Sequence, residues 1–136
     1  MKLITPESLA QSGSEDAHQL ALMCWRASAI QEYPALKYLI HIPNGGFRDK
    51  REAAKLKAMG AKTGVSDLFL AKPFGRYAGL WVELKNLKFD KDRWLKDQPE
   101  QSQWLSDMTD NYYYACVCVG WENARNTIVA YMEGNL

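Results

Sequence analysis

At 136 residues, the chain has room for one domain with one core and is too short for two of ordinary size. Its 47% hydrophobic and 24% charged residues are ordinary for a globular protein and exclude a low-complexity or disordered chain. A net charge of +1 argues neither for nor against nucleic acid, and no apolar run approaches a membrane span. The first residues, Met1-Lys2-Leu3-Ile4-Thr5-Pro6, lack the apolar stretch of a signal peptide, so a cytoplasmic location is expected. Cys24, Cys116 and Cys118 show no metal-ligand spacing and read as core thiols.

Residues 1–13 read as an extended lead-in. Ser14 suits an N-cap, with Glu15 and Asp16 in the first turn, where the helix dipole favours acids. Ala17, Leu20, Ala21, Cys24 and Ser28 follow at helical spacing, and Pro34 is the expected stop. Tyr38 to Ile42 reads as a strand, Pro43-Asn44-Gly45-Gly46 as a loop, and Asp49 to Met59 as a helix closed by Gly60. Two short apolar strands come next, Gly64 to Leu70 and Leu80 to Lys85, joined by a turn at Lys72-Pro73-Phe74-Gly75-Arg76.

Asn86 to Lys96 is polar and reads as irregular. Asp97, Pro99 and Glu100 look like a cap, an early helical proline and a capping-box acid. That helix would continue through Gln101, Trp104, Leu105 and Met108 to Asn111. Tyr112 to Val119 reads as a strand and Glu122 to Tyr131 as a last helix. The order α-β-α-β-β-α-β-α predicts an α/β sandwich around a central sheet.

The chemistry concentrates in the two paired strands. Side chains alternate along a strand, so Glu83 and Lys85 share one face while Leu84 points into the core. A hairpin that brings Asp67 beside them gathers two carboxylates and an ammonium. Hard oxygen ligands suit Mg²⁺ or Mn²⁺, and an adjacent lysine suits phosphate chemistry. Singly, Asp67 could cap a turn, and Glu83 with Lys85 could form a solvated strand face. Upstream, Arg48, Lys50, Arg51, Lys55, Lys57 and Lys62 are opposed only by Asp49 and Glu52, a local excess of +4. Such a stripe is either a solvated helix face or a phosphate-binding footprint.

Asp67 followed by Glu83-Leu84-Lys85 resembles the PD-(D/E)xK nuclease pattern. The longer string resembles the VRR-NUC branch of that superfamily over about residues 14–132 of the single expected domain, 1–136. It comprises Pro43-Asn44-Gly45-Gly46, Gly64-Val65-Ser66-Asp67-Leu68, Tyr77-x-Gly79-Leu80-x-Val82-Glu83-Leu84-Lys85 and Gln101-x-x-Trp104-Leu105. Ser66 departs from the proline often found at its position, which shapes backbone and supplies no ligand.

The resemblance implies a restriction-endonuclease-like α-β-α sandwich with a mixed sheet, and a metal-dependent nuclease acting on DNA. Asp67, Glu83 and the Leu84 carbonyl would hold Mg²⁺ or Mn²⁺. Lys85 and Gln101 would serve the reacting water and phosphate. A first-helix acid would join them, with Glu15 fitting best and Asp16 and Glu32 as alternatives. Asn44, Arg48, Lys50, Arg51, Lys62 and Thr63 are candidate DNA contacts. His18 and His41 read as structural, and Trp104 and Leu105 as core. The chain carries no added recognition module, which points to DNA shape rather than long-site sequence. A homodimeric, Holliday-junction- or flap-cutting enzyme of a bacterial or phage-infected cell is the leading expectation. Trp81, Trp94, Tyr112, Tyr113 and Tyr114 are candidate interface aromatics. The alternatives are a non-catalytic DNA-binding or assembly module, and a restriction or replication-associated nuclease targeted by a partner.

Overall fold

The computed structural model describes residues 3–43 and 49–136. A short helix α1 (Pro6–Leu9) precedes α2 (Glu15–Ala29) and a 3₁₀ segment (Pro34–Tyr38). Strand β1 (Leu39–His41), helix α3 (Lys50–Ala58) and strands β2 (Leu68–Leu70) and β3 (Leu80–Lys85) follow. Helices α4 (Lys91–Asp97) and α5 (Pro99–Asp110), strand β4 (Tyr114–Val119) and helix α6 (Trp121–Met132) complete the chain.

The four strands lie in the order β1-β2-β3-β4. The first three pair antiparallel, and β4 runs parallel to β3, so the sheet is mixed. A parallel neighbour cannot follow through a tight turn, and α4 and α5 form the crossover. Leu68, Leu70, Leu80, Val82 and Leu84 project from one sheet face onto Ala21 and Leu22 of α2 and Ala124, Ile128 and Tyr131 of α6, forming the buried core. On the opposite face Phe69 stacks on Trp81 at 4.2 Å, and Trp81 meets the edge of Trp104 from α5 at 5.2 Å. Helices therefore cover both faces of a mixed α/β sheet.

Ser14 caps α2 as its sequence suggests, its side chain accepting the Ala17 N–H at 3.1 Å. His18 is structural. Its Nδ1 accepts the Trp121 backbone N–H at 3.1 Å, in the buried joint where α2 meets the start of α6. Cys118 is buried, with Cys24 and Cys116 half-buried, as expected of core thiols.

Several local expectations change. Residues 1–13 contain α1, because Thr5 and Ser8 form a reciprocal capping box ahead of Pro6. Pro34 opens the 3₁₀ segment instead of ending α2, which stops at Ala29. Strand β2 is confined to Leu68–Leu70, and its link to β3 is a longer excursion containing a bridge between Phe74 and Tyr77. The stretch 86–96 is not irregular: Asp90 caps α4, accepting from Arg93 N–H at 3.2 Å. Asp97 consequently ends α4, and Gln98 takes the N-cap position of α5. Trp81 and Trp94 are buried, so they belong to the interior and not to a subunit interface.

Candidate active site

Three strands converge on Asp67, immediately before β2. Its backbone carbonyl accepts the Ile42 N–H from the end of β1 at 2.7 Å, and His41 Nδ1 lies 3.0 Å from the same oxygen. Its side-chain Oδ2 accepts the Leu84 N–H of β3 at 2.7 Å. The carboxylate thus takes the place of a backbone acceptor where the β2–β3 ladder ends. Leu84 itself inserts into the core, which pins β3 and fixes Glu83 and Lys85 on the opposite face.

Glu83 is 1% exposed, and its Oε1 lies 3.4 Å from Lys85 Nζ. Among the described residues its buried Oε2 meets no N–H donor, and the neighbouring acid is Asp67. Glu15, the first residue of α2, completes the group: one carboxylate oxygen from each of Glu15, Asp67 and Glu83 lies within 4.8 Å of the others. Asp16 lines the same small cleft with Gln19, His41 and Leu84 but stands outside this triad. Glu32 lies beyond the far end of α2. Of the three first-helix acids considered, the fold gathers Glu15.

Burial, followed by the neighbouring Asp67, pushes Glu83 up to about 8 against the pull of Lys85. Asp67 is raised by burial, opposed mainly by the Leu84 N–H. Glu15 is also raised by burial, opposed by Lys85. Three carboxylates that resist ionising together, with one oxygen of each within 4.8 Å of the others, form a donor set that could hold a cation. All the donors are hard oxygens, which fits Mg²⁺, Mn²⁺ or Ca²⁺ and not a thiolate-seeking metal.

Behind the carboxylates lies a polar relay. Lys85 Nζ donates to Gln101 Oε1 at 3.0 Å, and Trp94 Nε1 donates to the same oxygen at 2.7 Å. Two donors on one atom fix the amide orientation and leave the Gln101 NH₂ free of that contact. Trp94 is the member of this set that sequence reading misplaced. Its signal was the Asp90 cap, which makes 91–97 a helix and sets Trp94 one helix before Gln101.

Gly64 secures the relay to the strand. It sits at φ +92, and a Cβ there would meet the Glu100 carbonyl oxygen at 2.6 Å. Backbone packs on backbone at the start of α5, one residue before Gln101. Lys62 and Thr63 line a second cleft with Glu100, Gln103 and Trp104, beside but outside the carboxylate group. Lys50 and Arg51 lie exposed on α3. Asn44 and Arg48, with Gly45 and Gly46, fall outside the described residues.

Among solved structures, the chain is similar to one described as a VRR_NUC domain protein, with a TM-score of 0.70, 29% identity and 88% of each chain covered. The chain has the fold of a VRR_NUC domain. No family model matches it, and no curated protein does. The VRR-NUC assignment therefore stands on a shared fold over nearly the whole chain, together with the motif string already quoted. The same likeness accounts for the mixed sheet flanked by helices on both faces.

Proposed function

We propose that this chain is a metal-dependent deoxyribonuclease that hydrolyses phosphodiester bonds in branched DNA such as four-way junctions or flaps. The observation that carries this reading is the convergence of the buried Glu83 with Glu15 and Asp67 within 4.8 Å, backed by Lys85 and Gln101. Likeness to a VRR_NUC domain protein supports it.

Glu15, Asp67 and Glu83, with the Leu84 carbonyl, would hold Mg²⁺ or Mn²⁺. Such an ion supplies Lewis-acid polarisation of the scissile phosphate. The protein's own residues do the remainder. Lys85, held between Glu83 and Gln101, keeps an ammonium beside the carboxylates to offset charge that develops on the phosphate. Gln101, with its oxygen occupied by Lys85 and Trp94, presents its NH₂ as a donor to water or phosphate. Burial on both sheet faces keeps this geometry rigid. Asn44, Arg48, Lys50, Arg51, Lys62 and Thr63 are the proposed DNA contacts.

Symmetric cutting of a junction needs two sites, which calls for a homodimer. No helix among the described residues is long and apolar enough to cross a membrane. That agrees with work on DNA in the cytoplasm of a bacterial or phage-infected cell.

The test is incubation with Mg²⁺ or Mn²⁺ and labelled four-way junction, flap and plain duplex. Branched substrates should be cut faster than duplex, and Asp67→Ala and Glu83→Ala should abolish cutting. No cleavage by wild type, or unchanged cleavage by those variants, refutes the reading.

A further inference from the structure

The chain leaves the sheet at Ile42, hydrogen-bonded to the Asp67 carbonyl, and returns at Gly64, wedged against Glu100. Both ends of this excursion are therefore rooted on the candidate active site, one beside Asp67 and the other beside Gln101. The helix it carries, α3, has no buried residue. A helix of this length is marginal in water without tertiary support. Such an element calls for a partner that supplies the missing support.

Its charge pattern says which kind. At about 100° per residue, Lys50, Arg51, Lys55 and Lys57 fall within one arc of about 160°. Glu52, Leu56 and Met59 share the opposite side. With Asp49 and Lys62 included, residues 49–63 carry a net +3. The apolar side is too sparse for a membrane or a hydrophobic groove, Met59 being 73% exposed and flanked by charge. The cationic side repels a second copy of itself. An array of four cations along about 10 Å of helix complements a duplex, which carries one backbone charge per about 1.7 Å of its axis.

We propose that α3 is a clamp that grips the phosphate backbone of duplex DNA flanking the scissile bond, and that it is stabilised as a helix by that grip. The proposal rests on the nuclease reading and deepens it. Lys50, Arg51, Lys55 and Lys57 bind backbone without reading bases, so the clamp sets affinity and position on the substrate but no sequence preference.

The experiment uses the full chain and a fluorescein-labelled duplex in Ca²⁺, with affinity measured over a range of salt. Variants are K50Q/R51Q/K55Q/K57Q and, as a control, K37Q/K72Q, whose lysines both lie over the Tyr38 ring. The slope of log Kobs against log [salt] should shrink by up to about 3.6 in the quadruple variant, at about 0.9 per lost phosphate contact, and by less than 1 in the control. Hydrogen exchange in 50–58 should slow only when duplex is added. Because α3 buries nothing, the thermal midpoint and the Mn²⁺ affinity of the quadruple variant should stay at wild-type values. A slope within 1 of wild type, or α3 amides unchanged by DNA, overturns the clamp while leaving the nuclease reading intact. Wild type that binds no DNA overturns both.

Discussion

Replacing Glu83 by Gln separates the cost of the site from its use. Glu83 is 1% exposed and its carboxyl is pushed up to about 8. In an unfolded chain it would titrate near 4.5. Between those values the native state holds a proton that the unfolded state has lost, so stability falls as pH rises through the window. At about 1.4 kcal/mol per pH unit, the loss attributable to this residue reaches at most about 5 kcal/mol by pH 9. Asp67 and Glu15, both raised by burial, act in the same direction. Gln matches the shape of the protonated acid and does not titrate. Urea unfolding in EDTA should show wild type losing several kcal/mol from pH 5 to pH 9, while Glu83→Gln loses only the smaller share left to Asp67 and Glu15. Saturating Mn²⁺ should flatten the wild-type profile, because the ionised carboxylates are the binding form, and should leave the variant unchanged. Titration calorimetry at pH 7 in two buffers should show proton release on Mn²⁺ binding by wild type. Parallel pH profiles for the two proteins, or a flat one for wild type, would refute the argument.

Three further outcomes follow from single contacts. Gly64→Ala places a Cβ 2.6 Å from the Glu100 oxygen at φ +92, whereas Gly60, at φ +104, has nothing within 4 Å of that position. Backbone strain alone costs about 1–3 kcal/mol, so Gly64→Ala should exceed Gly60→Ala in urea unfolding, and equal losses would deny the close approach. Trp94→Phe removes one of two donors on Gln101 Oε1. A loss of about 1 kcal/mol corresponds to roughly fivefold slower cleavage at saturating DNA, with a displaced Gln101 side-chain amide resonance; an unmoved resonance and rate would remove Trp94 from the relay. Asp67→Ala deprives the Leu84 N–H of its acceptor, which costs about 1–3 kcal/mol, offset in part by relief of the raised carboxyl. It should therefore show less gain in stability at pH 9 than Glu83→Gln, a comparison that thermal melts at one pH can decide.

The site was more legible in the sequence than the elements around it. Asp67, Glu83 and Lys85 carry their geometry in their spacing, because strand alternation fixes Glu83 and Lys85 on one face whatever the rest of the chain does. Gln101 stood out through the resemblance to the VRR-NUC string, on a helix whose start Pro99 and Glu100 announce. Glu15 could be ranked but not chosen, since which helical acid reaches a sheet depends on how α2 is docked. That docking runs through the His18 contact to Trp121 N–H, 103 residues away in the chain. Helix α4 was lost because its residues, Lys91 to Asp97, are mostly charged and show one buried side chain, Trp94. An apolar stripe of one residue has no period. The Asp90 cap was the available signal, and it was overshadowed by the stronger-looking Asp97-Pro99-Glu100 start seven residues on.

The two strand carboxylates, alike in sequence, play opposite roles in the fold. Asp67 ties the sheet together: its side chain accepts Leu84 N–H, and its carbonyl accepts Ile42 N–H, so β1, β2 and β3 are joined at one residue. Glu83 receives a 3.4 Å contact from Lys85 on one oxygen, and among the described residues its other oxygen meets no N–H donor. Burying such a group costs stability, and a leucine or glutamine there would serve the interior better. The proposed cation would offset that cost. This asymmetry is what separates a ligand from a ladder residue, and it is visible in the hydrogen-bond inventory before any ion is considered. It also orders the consequences of mutation. Loss of Asp67 would remove both a tie and a proposed ligand, whereas loss of Glu83 would remove a proposed ligand and relieve the cost of burial, so stability and metal affinity should move together at one residue and apart at the other.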